Sequence, residues 1–287
     1  MIDLIQQRLQ SYNAANRLEV ENATKEILQE IALYALWRAD FFDVALFQGG
    51  TSLRILHGLP RFSEDLDFML TKPDTEFNWT PYLDILLQTF EEFGLQSEAL
   101  RKGSMAQRIR KAVIKDTSIT HQLDLSFAGR NEKKTVRIKL EIDVAPPAFS
   151  GEERTFLDFP LDYEVRHQDL SSNLALKIHA LLCREYLKGR DWYDFSWYVS
   201  KGVTPNFQHL QAALRQFGPW SQEKDIRVDR DWLNDALTKK IDSISWSQAQ
   251  DDVRRVLRPR EAESLTLWSD AFFTAKLAKL IQKAAID

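Results

Sequence analysis

Apolar residues along the chain follow a helical period at the start, alternate in the middle, and return to a helical period towards the end. Val20, Ala23, Ile27, Ile31 and Tyr34 share one stripe, with the charges mostly off it, which predicts a helix from Leu18 to Ala39. Val44-Ala45-Leu46-Phe47 is a short β-like run that stops at Gly49-Gly50. Thr51 can cap a helix through Leu53, Ile55 and Leu56, which Gly58 and Pro60 end. Leu66 to Leu70 predicts a second strand, and Trp79 to Phe93 an amphipathic helix. Ile119 to Phe127 alternates, Gly129-Arg130-Asn131 supplies a turn, and Val136 to Val144 alternates strictly, a pattern that predicts a hairpin. After Pro146-Pro147 and a loop the period is helical: Leu174, Leu176, Ala180, Leu181 and Leu182 behind a cap at Ser171 or Ser172, then Trp192 to Val199. Three or four further helices follow, the last from about Ala262 to Ala285. No repeat or low-complexity segment interrupts this order. The fold class expected is α/β (α+β), a mixed sheet flanked by helices and followed by an all-helical half, with a boundary near 150 to 170.

Composition narrows this little: 287 residues, 44% apolar and 11% aromatic, with ten Gly and nine Pro, describe a globular chain long enough for a large core. No apolar run approaches the roughly 20 residues that span a bilayer. The start, Met1-Ile2-Asp3-Leu4, has no signal-peptide pattern, and the single Cys183 cannot form an internal disulfide. A cytoplasmic protein without a membrane partner is expected. His57, His121, His167, His179 and His209 lack ligand spacing, so zinc is not expected, and Cys183 and the tryptophans read as packing residues.

Charge changes the picture more. The net charge of −4 alone argues weakly against a nucleic-acid partner. Between Arg101 and Lys139, however, eleven Lys/Arg stand against three acids, a local +8 that leaves −12 for the rest. That basic stretch is either a solvated hairpin or a phosphate-contacting surface for RNA.

Candidate chemistry concentrates in FQGGTSLRILHGLPRFSEDLDFML, residues 47–70. Gly49-Gly50 between a strand and a helix is an ordinary tight turn or a place where amides and a helix N-terminus face phosphate oxygens. Asp65 and Asp67 alternate with Leu66 and Phe68, so both acids leave the same face of a strand. Paired carboxylates that close repel unless a cation sits between them, and oxygen-only ligation suits Mg²⁺ shared with substrate phosphates. In the strand from Val136 to Val144 the polar face carries Arg137, Lys139, Glu141 and Asp143. If it lies beside the Asp65 strand, Asp143 or Glu141 supplies a third carboxylate, with Asp143 preferred. Lys177 interrupts an apolar helix start and should meet an acid or a phosphate. Asp191, in Lys188-Gly189-Arg190-Asp191-Trp192-Tyr193-Asp194, is a helix cap paired with Arg190 or part of the same site.

Together the blocks FQGGTSLR, RFSEDLDF, LKIHAL and GRDWYD resemble the AbiEii/AbiGii toxin family of nucleotidyltransferases, over most of residues 20 to 200. The resemblance implies a DNA-polymerase-β-like nucleotidyltransferase core at 1–165 and a helical C-terminal domain at 166–287. It implies Mg²⁺, with Mn²⁺ as a substitute, and a nucleoside triphosphate as substrate. It further implies a toxin of a toxin–antitoxin or phage-defence pair, with a cognate antitoxin protein and with RNA, above all the tRNA 3′ end, as acceptor. Carried onto this sequence, Gly49, Gly50 and Thr51 would cradle phosphate, and Asp65 and Asp67 would bind metal. Arg54, Arg61 and Ser63 would line the nucleotide site, Lys177 would contact the triphosphate, and Asp191 would be the downstream acid. Beyond about residue 200 no motif matches. Transfer to a protein or a small molecule, or a catalytically idle partner-binding module, are the competing functions; the intact Asp65/Asp67 pair speaks against the last.

Overall fold

The computed structural model describes residues 2–102, 107–123, 135–223 and 225–285. Two compact units divide them: residues up to 58, 62–146 and 153–167 form the first, and 59–61, 147–152 and those from 168 onward form the second.

The first unit begins with α1 (Ile2–Ser11) and α2 (Arg17–Arg38), followed by β1 (Ala45–Gln48), α3 (Gly49–His57), β2 (Asp65–Leu70) and α4 (Thr80–Glu92). It continues with β3 (Ser97–Lys102), β4 (Ile109–Asp116), α5 (Ile119–Gln122), β5 (Val136–Asp143), β6 (Glu152–Leu157) and β7 (Tyr163–Gln168). The seven strands make one mixed sheet in the order β3-β4-β5-β2-β1-β7-β6. At its centre β2 runs antiparallel to β1 and parallel to β5, and β5 runs antiparallel to β4.

Alternation explains the two faces of this sheet. Leu66, Phe68 and Leu70 of β2, Ile138, Leu140 and Ile142 of β5, and Ala112 and Ile114 of β4 are buried in one cluster with Ile27, Ile31, Leu83, Leu86 and Phe90 from α2 and α4. Each such aliphatic side chain contributes about 1.5–3 kcal/mol by leaving water. The intervening residues, Asp65 and Asp67 with buried Met69 in β2 and four charged residues in β5, therefore occupy the opposite face. The long α2 starts at a reciprocal cap: the Asn16 side chain accepts from the Glu19 amide at 3.0 Å, and the Glu19 carboxylate accepts from the Ala15 amide at 3.1 Å.

Several expectations change. Thr51 is not a cap but lies inside α3, whose N-cap is Gln48; its buried hydroxyl donates to the Asp65 carbonyl and so ties α3 to β2. The predicted strand from Ile119 begins instead as α5, because the Asp116 carboxylate accepts the amides of Ser118 at 2.9 Å and Ile119 at 2.7 Å and turns the chain into a helix. The rest of that stretch, with the Gly129-Arg130-Asn131 turn, lies outside the described residues. The antiparallel neighbour of β5 is β4. A further strand pair, β6 and β7, occupies the segment expected to be a loop; β6 is mostly exposed and carries no alternating apolar signal.

The second unit is helical: α6 (Leu170–Cys183), α7 (Gly189–Ser200), α8 (Phe207–Gln216), α9 (Arg230–Ile241), α10 (Trp246–Arg254), α11 (Pro259–Ala262) and α12 (Asp270–Lys283). The cap of α6 is Asp169 rather than Ser171 or Ser172; its carboxylate accepts from the Ser172 amide at 2.7 Å. Trp192 meets Trp246 and Phe273 edge-on, each at 5.1 Å, and Trp246 stacks on Phe273 at 4.3 Å, so these rings are packing residues. Gly189 permits the contact between α7 and α10, since a Cβ there would lie 1.8 Å from the Ala249 carbonyl oxygen.

Candidate active site

Asp65 and Asp67 stand on the exposed face of β2, as their alternation with buried Leu66 and Phe68 requires. The parallel register with β5 sets Asp65 opposite Lys139, Asp67 opposite Glu141, and Met69 opposite Asp143. Glu141 is thus the strand acid beside the pair. Asp143 is two residues further along and already engaged: Arg108 Nε lies 2.8 and 3.0 Å from its two carboxylate oxygens, and the Ala145 amide donates at 2.9 Å. Of the two strand acids expected as the third carboxylate, register thus sets Glu141 directly opposite Asp67 and Asp143 one same-face position further along.

Lysines hold the remaining acids. Lys139 lies 3.5 Å from Asp65, and Lys111, in register with Glu141 on β4, lies 2.9 Å from it. Both lysines are exposed, and the register continues the basic character outward, with Lys102 of β3 opposite Lys111, and Arg137 of β5 opposite Lys115. The acid pair therefore shares its sheet face with Lys139, Lys111, Arg137, Lys102 and Lys115, the last paired with Glu98 at 2.9 Å. Of the other basic-stretch residues, Arg130, Lys133 and Lys134 lie outside the described residues.

The β1–α3 turn closes the other side of the acids. Gly49 adopts φ +77°, and a Cβ there would lie 2.6 Å from Asp67 Oδ2. Only glycine allows this backbone to pass so near the carboxylate in a left-handed conformation. Gln48 places no side-chain cap on α3, so the first-turn amides beginning at Gly49 and Gly50 open beside Asp67.

The other residues of this block take internal partners. Thr51 is buried on the Asp65 carbonyl, so its hydroxyl faces the fold rather than a phosphate. Arg54 donates to Glu26 at 2.8 Å, with its guanidinium 4.5 Å above the Phe62 ring, and Ser63 is half-buried with its carbonyl accepting from Gln29 at 3.3 Å.

A second cluster lies entirely within the helical unit. Arg61 donates to both oxygens of Asp194, each at 2.6 Å. Lys177 lies 2.7 Å from Asp191 and 2.8 Å from Asp194, and Arg184 also pairs with Asp191. Every carboxylate here is buried. Burial by itself would raise the Asp191 carboxyl, but Lys177, Arg184 and Lys188 outweigh it and hold it at about 2. Asp194 is likewise lowered: Arg61 and Lys177 overcome its desolvation. Lys177 is raised, since the two acids outweigh the burial that would lower it. Sequence reasoning placed Lys177 and Asp191 together but gave no role to Asp194, although its i+3 spacing from Asp191 puts both on one face of α7. Arg61, expected at a nucleotide, instead anchors this cluster.

Burial pushes the Cys183 thiol up to about 11, which suppresses the nucleophilic thiolate. Among the described residues no three His, Cys, Asp or Glu side chains stand close enough to cage a metal ion. Asp65 and Asp67, all-oxygen donors on one face, could still hold Mg²⁺, which is commonly bound by one or two carboxylates plus phosphate and water. Among the described residues no helix is long and apolar enough to cross a membrane.

No curated protein matches this chain. Two solved structures from Helicobacter pylori are similar to it. A candidate nucleotidyltransferase is 20% identical, covering 88% of this chain and 94% of its own, with a TM-score of 0.44. JHP933 is 17% identical, covering 92% and 93%, with a TM-score of 0.49. Residues 31–274 match the family described as nucleotidyl transferase AbiEii toxin, type IV toxin–antitoxin system. With that match spanning both units, this chain belongs to the AbiEii family of nucleotidyltransferase toxins, a family whose members pair with an antitoxin.

Proposed function

We propose that this chain transfers a nucleotide from a nucleoside triphosphate to an RNA acceptor, with the tRNA 3′ end as the acceptor class, and releases pyrophosphate. The observation that carries this reading is the register of the sheet: Asp65 and Asp67 lie beside Glu141 and open onto a face bearing Lys139, Lys111, Arg137 and Lys102. A polyanionic acceptor suits that face, whereas a neutral protein surface gains nothing from it.

In this reading the acceptor hydroxyl gives its proton to water as its oxygen attacks the α-phosphorus, and the bond to the bridging oxygen of the β-phosphate breaks to release pyrophosphate. Asp65 and Asp67, with Glu141 adjacent, would hold Mg²⁺, or Mn²⁺ in its place, which would neutralise charge on the triphosphate and on the departing pyrophosphate. The amides at Gly49 and Gly50 orient phosphate oxygens. Lys139 and Lys111, held by acids in the free protein, turn to phosphate when the acids are neutralised. For Lys177 and Asp191 the motif assigns contact with the triphosphate and a catalytic acid; these roles require that substitution cost more activity than stability.

The test is a matrix of each labelled triphosphate with total tRNA or a protein lysate, in Mg²⁺. Label at RNA 3′ ends, abolished in a folded Asp65→Ala protein, is the expected result. Label on protein alone would overturn the RNA acceptor, and transfer by Asp65→Ala would overturn the site. Growth arrest on expression, relieved by Asp65→Ala, is expected from the toxin family.

A further inference from the structure

The helical unit contains a pocketed region whose Lys188, Lys240, Trp220 and Trp232 have no role in the reaction above. One part is a pocket of about 250 Å³ where the end of α6, the starts of α7 and α10 and the end of α9 converge. Arg184, Lys188 and Lys240 line it, against Glu185 and Asp191. Asp191 is already bonded to Lys177 and Arg184, so its charge is spent. Lys188 forms no salt bridge with a described residue although it is more than half buried, and that burial lowers its pKa. Among the described residues Lys240 donates to the Arg184 carbonyl alone, at 3.5 Å. Three cations line this half-enclosed pocket against two acids, and that excess of positive charge favours an anion. At the rim α10 starts from Ser245, whose side chain does not cap the first-turn amides.

The second part is a neighbouring pocket of about 360 Å³, which shares Lys240 and Ser243 with the first. Its walls include Trp220 and Trp232, edge-to-face at 5.4 Å, with Leu182 and Ala236. Unlike Trp192, which is buried, these two rings are partly exposed. A cationic pocket joined through one lysine to an aromatic pocket presents, in order, what a phosphate and a base require. The two volumes together are the size of a small-ligand site.

We propose that the helical unit binds a nucleoside phosphate of its own, the phosphate among Arg184, Lys188 and Lys240 and the base against Trp220 and Trp232. The ligand is a free nucleotide or a nucleotide of a single-stranded RNA end; the recognising chemistry is the same. This site is built from residues of the helical unit alone, and its test does not depend on transfer.

The experiment measures binding by the full chain in EDTA, with AMP, CMP, GMP, UMP, inorganic phosphate and a short single-stranded oligoribonucleotide as probes. Lys188→Gln, Lys240→Gln and Trp232→Ala are compared with an Asp65→Ala/Asp67→Ala protein, and thermal melts verify folding. Each of the three groove variants is expected to weaken binding about ten-fold or more, while the β2 double variant binds as the parent does. Tighter binding of a mononucleotide than of the oligonucleotide identifies a free nucleotide as the ligand, and the reverse identifies an RNA end. Binding of inorganic phosphate with the same affinity as every nucleotide, unaffected by Trp232→Ala, would overturn the base subsite and the proposal with it. Binding untouched in all groove variants, or lost only in the β2 variant, overturns it outright.

Discussion

The acids of β2 and the acids of α7 are the same residue type in opposite circumstances. Asp65 and Asp67 sit on an open sheet face, where Lys139 approaches Asp65 only to 3.5 Å and Gly49 brings backbone against Asp67. Asp191 and Asp194 are buried, with three cations arranged so that each carboxylate has two partners. Charge that faces solvent stays free to exchange a weak internal partner for a ligand. Buried charge cannot do so without exposing an uncompensated ion, so the α7 acids organise structure first. Both pairs belong to motif blocks, and spacing alone does not tell them apart.

Substitution should separate the two pairs most sharply. Asp194→Ala leaves Arg61 buried without its bidentate partner and should destabilise the protein by about 3–5 kcal/mol in chemical denaturation. Asp65→Ala should leave stability within about 1 kcal/mol but reduce transfer about 100-fold or more. Equal stability loss in both variants would erase the distinction.

Acid offers a second way to break it. The folded Asp191 carboxyl, held at about 2 against an ordinary value of 3.8, binds its proton less tightly than in the unfolded chain. Its contribution to stability is therefore complete above about pH 4 and is lost as pH falls towards 2, on the order of 2 kcal/mol. Asp191→Asn should flatten the acid limb of the stability–pH curve over that interval.

Gly49→Ala probes the open pair through the backbone. A side chain at φ +77° costs about 1–2 kcal/mol, and the Cβ would meet Asp67 Oδ2 at 2.6 Å. Transfer should fall by more than this strain explains, because the carboxylate must move. The smallest effect belongs to the cations around the open acids. Arg137→Gln with Lys102→Gln should weaken RNA binding several-fold and reduce its salt slope by about 2, while nucleotide binding persists.

Much of the central architecture was legible because it rests on local periodicity. The helix 18–39, the strands at 44–47 and 66–70, and the helix 79–93 all match elements of the first unit closely. The strand pair β3–β4 was not legible: β3 is largely exposed, and β4 mixes buried Arg110 and Asp116 with its apolar residues. Nor was α5, since Ile119 onward alternates like a strand and only the Asp116 carboxylate makes it a helix. At the site, the Asp65/Asp67 face followed from alternation, whereas which strand acid lies directly opposite Asp67 required the β2–β5 register.

What the sequence by itself determined is which residues carry charge on which side of each element: a period of two or 3.6 is a property of the backbone and needs no partner. It also carried the motif blocks that mark the family. What only the tertiary structure decided is which charges meet. The pairing of Arg61 with Asp194 spans 133 residues, and Lys111 meets Glu141 across neighbouring strands. Burial and register, set by how strands and helices pack rather than by any local pattern, turned one pair of aspartates towards solvent and sealed the other inside.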